Sequence, residues 1–292
     1  MEKKEENVEE KKENDENNNK NDEKKEPEQT NQILDSNRRI TNNDLKDSSL
    51  LILEEKDCNI FNGEKIKINP LGMEGGRGAG DGVTIFGCNA ANDDTSNYNT
   101  GASIIKPDFI LHLKEKYMYP YIFTIHFEKE SKSYFIKPFS GKNNDNRILH
   151  VKLTNGYSLP LKQQEIIYAG GVVFQITSLD NNHLEVVNIS KQSLSMSPKQ
   201  TFDPSSKKEV TIGRNKECDF AFPNNKSFSR TQTTFEYDEE NQEWIIIDGS
   251  RTKSSTNGTW VFCTHSYLIK DKMTVRVFDN YNIIFNEEIK GE

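Results

Sequence analysis

From residue 50 onward the chain is written mostly in short apolar runs, four to seven residues long, bounded by Asn, Gly, Asp or Pro. One series falls at 50–53, 65–69, 82–86, 109–113, 121–127, 134–139, 148–153 and 166–176. A second falls at 183–189, 210–212, 220–222, 233–237, 244–247, 259–262, 274–278 and 282–285. The runs are enriched in Ile, Val, Phe and Tyr, which suit a pleated, half-buried surface. Ile122-Phe123-Thr124-Ile125-His126-Phe127 alternates in part, and Ile245-Ile246-Ile247 reads as buried on both faces. No window outside the charged N-terminal stretch keeps a helical period for three turns. This grammar predicts an all-β chain with two β-sandwiches in tandem, at 50–178 and 179–292.

The first 49 residues are different. Residues 1–30 hold seven lysines and twelve acids, so most of the chain's net charge of −8 sits there, with Val8 as the lone branched aliphatic residue. Such a segment cannot offset the entropy of ordering and is expected to be a disordered tail. Residues 31–49 are polar and read as linker.

Several classes are disfavoured. No apolar run approaches the roughly 20 residues of a membrane helix. No secretory signal is visible, so the expected location is intracellular, in cytoplasm or nucleus. Cys58, Cys88, Cys218 and Cys263 lie far apart without a CxxC pair, which predicts neither a metal site nor a disulfide framework. The acidic balance argues against a general nucleic-acid binder. The Gly-rich stretch 75–82 fits neither GxGxxG nor a Walker loop and reads as a flexible connection. Five scattered histidines lack a neighbouring nucleophile or carboxylate pair. No cofactor and no catalytic residues are expected.

Two stretches carry chemistry. In "VTIGRNKECDFAFPNNKSFSRTQTTFEY" (210–237) a strand runs into Gly213-Arg214, Asp219 opens the next strand, and Ser229-Arg230 precedes Thr233. In "DGSRTKSSTNGTW" (248–260) a run of hydroxyls leads into Asn257-Gly258 and an apolar strand. Asn-Gly by itself suits a tight hairpin. A guanidinium suits phosphate oxygens. Hydroxyls and a primary amide add neutral donors.

Over about residues 180–288 these motifs resemble the forkhead-associated (FHA) domain, whose pattern runs Gly-Arg, an Asp-bearing strand, Ser-x-x-His, then Ser-x-Asn-Gly-Thr. The resemblance implies a β-sandwich whose loops bind a phosphothreonine peptide. It assigns Arg214 as the phosphate anchor, with Ser229, Arg230 and Thr256 adding donors and Asn257 pairing with the peptide backbone. The Ser254-Ser255-Thr256 cluster becomes one wall of an anion site. Gly213 and Gly258 are structural, as is Gln232, which stands where the family has His and can take over that residue's role of bracing the loops. The implied function is a non-catalytic phosphothreonine-binding adaptor; a phospho-independent scaffold is the alternative. Residues 50–178 echo the strand order but lack the binding residues. Tyr119-Pro120-Tyr121-Ile122 stands where Ser-x-x-His should lie, and Thr154-Asn155-Gly156 is the nearest to Asn-Gly. This half reads as a degenerate FHA-like sandwich. The expected partners are phosphothreonine proteins, and also this chain's own Thr41, which follows Arg38-Arg39 and precedes Asp44 by three residues.

Overall fold

A computed structural model describes residues 40–41, 44–46, 48–78, 80–88, 106–113, 121–139, 148–153, 157–190 and 199–288. The expectation of disorder for 1–39 lies outside the described residues. Among the described residues the chain forms β-strands and turns and no helix, as the apolar grammar predicts. The linker reading fails at Ile40, whose side chain is buried against Gly82.

Two five-stranded sheets share one plan. The first runs β5 (Phe109–Leu111), β4 (Val83–Cys88), β6 (Tyr121–Glu128), β7 (Ser133–Pro138), β19 (Tyr267–Leu268). The second runs β15 (Phe220–Ala221), β14 (Glu209–Gly213), β16 (Thr233–Asp238), β17 (Glu243–Asp248), β9 (Ser158–Pro160). In each, the first pair is parallel and the rest antiparallel. Pro160 sits in β9, at a sheet edge, where a missing N–H costs no ladder bond.

Both pack on an eleven-stranded sheet. Its left arm is β13 (Lys199–Phe202), β12 (His183–Asn188), β11 (Val172–Asp180) and β10 (Ile166–Ala169). Its centre is β18 (Thr259–Phe262) beside β8 (Leu149–Lys152). Its right arm is β20 (Thr274–Val277), β21 (Tyr281–Glu288), β1 (Leu50–Lys56), β2 (Ile66–Asn69) and β3 (Gly72–Met73). The run 166–176, read as one strand, is two: Gly170 and Gly171, at φ 57° and 87°, form the two-residue turn of a hairpin. Phe174 meets Phe220 edge-on at 5.6 Å between layers, and the Tyr134 hydroxyl donates to the Ser49 carbonyl at 2.8 Å.

The pairing corrects the domain boundary at 178/179. Strand β9 closes the sheet of β17, and β10 pairs with β18, so residues 157–180 belong with the second half. Conversely β19 pairs with β7, β20 with β8, and β21 with β1 over seven residue pairs from Leu50↔Glu288 to Lys56↔Asn282. One sandwich is therefore the continuous stretch 157–263. It is inserted between β8 and β19 of an outer sandwich built from 50–153 and 267–288. Alternation identifies a strand and its inward face, but not its partner, so nothing in the runs themselves reveals this nesting. The described residues accordingly form a single compact unit.

The Gly-rich connection is also more constrained than a flexible loop. Arg77 donates its backbone N–H to Asp108 Oδ1 (2.6 Å), Nε to Asp108 Oδ2 (3.0 Å) and a terminal nitrogen to the Val83 carbonyl (3.0 Å). Asp108 also accepts from the Ile85 N–H at 2.8 Å, tying the loop to β4.

The two sandwiches meet along β8–β18, through Lys152↔Trp260, Val151↔Val261 and His150↔Phe262. His150 is buried, its ring 4.2 Å from that of Phe262, and burial lowers its pKa to about 4 from an ordinary 6.5. His265 is depressed to about 4 by the same cause. In the unfolded chain both histidines protonate first, so their contribution is complete above pH 6.5 and is lost as pH falls from there through about 4. For His150 the loss is about 3 kcal/mol. The expected result is a melting midpoint that falls across this window, and falls less steeply in His150→Phe; equal slopes would refute the assignment.

Candidate functional site

Three loops converge at one end of the inner sandwich. The first leaves β14 at Gly213, the second precedes β16, and the third joins β17 to β18. Backbone bonds tie the first two: Arg214 N–H donates to the Ser229 carbonyl at 2.8 Å and Asn215 N–H to the Arg230 carbonyl at 3.1 Å. The approach is close enough that a Cβ on Gly213 would lie 2.2 Å from the Arg230 oxygen, so glycine is required there by space alone.

The third loop corrects two expectations. Asn257-Gly258 is not a hairpin turn, because β17 and β18 lie in different sheets; only Gly258 has a positive φ, 77°. The hydroxyl cluster also divides. Ser255 turns inward: its hydroxyl donates to Asp248 Oδ1 (2.6 Å) and accepts from the Gln232 amide (2.8 Å) and from Gly258 N–H (2.9 Å). That uses its one proton and both lone pairs. Thr256 faces outward, and its N–H donates to Ser229 Oγ at 2.8 Å. The Ser229 hydroxyl donates to Thr256 Oγ1 at 3.2 Å, which leaves the Thr256 proton available.

Gln232 sits fully buried between the loops. Its carbonyl oxygen accepts from Ser229 N–H (3.0 Å), while its amide nitrogen donates to Ser255 Oγ and to the Gly258 carbonyl, both at 2.8 Å. One side chain thus stitches the second loop to the third, using an acceptor and two donors together. Beneath it, the buried Asp248 accepts from Ser255 N–H (3.1 Å), Ser255 Oγ and Thr259 Oγ1 (2.9 Å). The sequence does not single out Asp248 or Thr259, and it groups Ser255 with the outward wall, because an inward hydroxyl looks the same there as an outward one. The only signal was an acid placed at a strand end.

Arg214 and Arg230 are exposed, and neither guanidinium has a carboxylate partner among the described residues. Asn257 is exposed and spends an amide proton on the Ser227 carbonyl (2.8 Å), which fixes the direction of its amide. Asp219 is structural: its Oδ2 accepts from Thr211 N–H at 2.9 Å, and Lys207 pairs with its other oxygen.

The outer sandwich places different residues at the matching positions. Gly87 pairs across to β5 as Gly213 does to β15, so the buried Cys88 stands where Arg214 stands. The pairings of β6 with β4 put the buried Ile122 in the place of Gln232. Thr154-Asn155-Gly156 lies outside the described residues and follows β8, whereas Asn257-Gly258 precedes the equivalent strand β18. It is not the counterpart. Thr41 belongs with the outer sandwich: its N–H and hydroxyl donate to Asp44 Oδ2 at 2.7 and 2.8 Å, and Lys129 pairs with the same carboxylate.

Among the described residues no group of three or more His, Cys, Asp or Glu side chains is placed to hold a metal ion, and no helix is long and apolar enough to cross a membrane. No curated protein matches the chain. One family model does, that of the FHA domain, over residues 210–278. The match runs through the three loops and continues past the inner sandwich into β19 and β20; it does not reach the stretch 50–178. The family whose model residues 210–278 match is, in general, one of interaction modules that bind phosphothreonine-containing proteins.

Proposed function

We propose that the three loops of the inner sandwich bind a phosphothreonine peptide and that the chain acts as a non-catalytic adaptor. The observation that carries this reading is the combination of two unpaired guanidinium groups, on Arg214 and Arg230, with the outward Thr256 hydroxyl on a rigid frame. Arg214 leaves the chain one residue past a glycine locked against Arg230, so its backbone is fixed before a ligand arrives. A phosphate dianion would receive charge-assisted bonds from Arg214 and a neutral one from Thr256, which Ser229 holds in place by giving its own hydroxyl proton to Thr256 Oγ1. Asn257, with its amide oriented by Ser227, presents its carbonyl oxygen to a peptide N–H. The outer sandwich, with Cys88 and Ile122 at the matching positions, supports a structural role for that half.

Thr41 is a candidate ligand through a specific contact. A phosphate on its hydroxyl would face the Asp44 carboxylate that now accepts its proton, and like charges would open that turn and free the segment.

The test is binding of a phosphothreonine peptide library to the full chain and to Arg214→Ala. Wild type is expected to retain phosphorylated members and not their unphosphorylated forms. The variant should lose about 3 kcal/mol, a fall of roughly a hundredfold, with an unchanged melting midpoint because the side chain makes no internal bond. Undiminished affinity in the variant excludes the site.

A further inference from the structure

The outer sandwich reaches the recognition loops of the inner one at the side chain of Lys152. Lys152, the last residue of β8, pairs with Trp260 across the junction, and its aliphatic stem lies against Gly258. A Cβ built on Gly258 would stand 2.4 Å from Lys152 Cε and 3.3 Å from Nζ. The ammonium therefore sits one residue from Asn257 in the chain. It also lies 5.7 Å from the centre of the Trp260 ring, on which Arg276 of β20 stacks with its Cζ at 3.7 Å.

Among the described residues neither cation is within ion-pair distance of a carboxylate. Lys152 has no carboxylate partner among the described residues, and Arg276 donates Nε to a neutral group, Asn282 Oδ1, at 3.1 Å. Arg276 also lines a cleft of about 240 Å³ with His150, Tyr168, Trp260, Phe262 and Asp279. Trp260, Phe262 and His150 are buried and form an apolar floor, and the Nδ1 of His150 has no hydrogen-bond partner. Asp279 is the one carboxylate in this lining, and it makes no ion pair with Arg276. His150 is neutral near pH 7, so the balance is two positive charges against one negative, over low-dielectric aromatic walls that strengthen any interaction with a further anion. Cation–π stacking stabilises Arg276 on Trp260 but leaves its terminal N–H groups without acceptors.

We propose that Lys152 and Arg276 form a second subsite, which takes an acidic side chain flanking the phosphothreonine of the ligand. This rests on the phosphothreonine reading above. Continuity decides the occupant: Lys152 touches the same loop that carries Thr256 and Asn257, so a peptide held by those residues brings its own flank within reach. The domain insertion then has a functional consequence, because the half without phosphate-binding residues supplies part of the specificity.

The experiment uses the full chain and a fluorescent phosphothreonine peptide of Ala and Ser, with a single Glu walked through every flanking position. One position should tighten binding roughly fivefold or more over Ala, an effect that weakens with added salt. In Lys152→Met/Arg276→Gln the ratio of Glu to Ala affinities should fall to one. In Lys152→Glu the preference should reverse, so that Lys at the same position binds better than Glu; this variant keeps the test decisive if the double one misfolds. A flat glutamate walk in the wild type, or a preference retained in both variants, overturns the subsite. If binding still depends on Arg214 in that case, the phosphothreonine reading stands without it. Absence of any phosphopeptide binding overturns both.

Discussion

A fragment spanning residues 179–292 is expected to lack a cooperative unfolding transition, whereas one spanning 157–263 melts as a single unit. The first keeps β12 to β21 but loses β9 and β10 and nearly all of β11. With them go the side chains of Ile167, Phe174 and Ile176, each fully buried in the intact chain. Burial of each is worth on the order of 2 kcal/mol, and together they rival the whole stability of a small domain. Its β19 to β21 are also stranded, since their partners β7, β8 and β1 are absent, and Val275, Ile283 and Phe285 would face water. The second fragment keeps every strand of the five-stranded sheet from β15 to β9 and every strand from β13 to β18. Of its strand pairing it gives up the three residue pairs of β18 with β8, and with them the Tyr267–Glu165 hydrogen bond. Circular dichroism melts and dye binding to exposed apolar surface separate the two outcomes. A cooperative melt of 179–292 would mean that β19 to β21 can take the places held by β9 to β11, and the nesting would then be one of two available pairings. The intact chain favours the observed pairing in part through the Tyr267 hydroxyl, which donates at 2.6 Å to the buried Glu165 at the start of β10.

That pairing is the feature the sequence concealed. The strands announced themselves because Val, Ile and Phe recur between turn residues, and most runs match an observed strand. The short edges β9, β13 and β19 passed unnoticed, being only two to four residues long and partly polar. Their partners lie about 90, 15 and 130 residues away, and contacts at such separations leave no local pattern. The binding loops were more legible, because an ordered series of Gly213-Arg214, Ser229 and Thr256-Asn257-Gly258 is a compound signal. What the series could not convey was direction. Ser255 and Thr256 are chemically alike neighbours, yet one is spent inside on Asp248 and the other is offered outside. Gln232 was legible as a brace, but not the reach of that brace from Ser229 to Gly258.

The inward half of this arrangement is predicted to be as sensitive as the outward half. Asp248 is 3% exposed and accepts three bonds, two from Ser255 and one from Thr259. Thr259 Oγ1 in turn lies 2.9 Å from the Gln232 carbonyl and 2.8 Å from Thr233 Oγ1. Replacing Asp248 by Ala removes the acceptor of the Ser255 N–H and hydroxyl, whereas the Thr259 hydroxyl can still turn to the Gln232 backbone carbonyl. Hydrogen bonds to a charged group contribute about 1.5–3 kcal/mol each, and stranding their donors costs the desolvation of each one. The expected loss is about 4 kcal/mol of stability, against no measurable loss for Arg214→Ala. Asp248→Asn should fall between them, because its carbonyl oxygen can keep the bonds now made to Oδ1 while its NH2 opposes the Ser255 N–H. The graded series separates a frame residue from a ligand-contacting one: phosphopeptide affinity should fall in Asp248→Asn together with the melting midpoint, whereas in Arg214→Ala it falls alone. If Asp248→Ala melts with the wild type, the buried carboxylate does not hold the loops and the rigid frame invoked for Thr256 has no foundation.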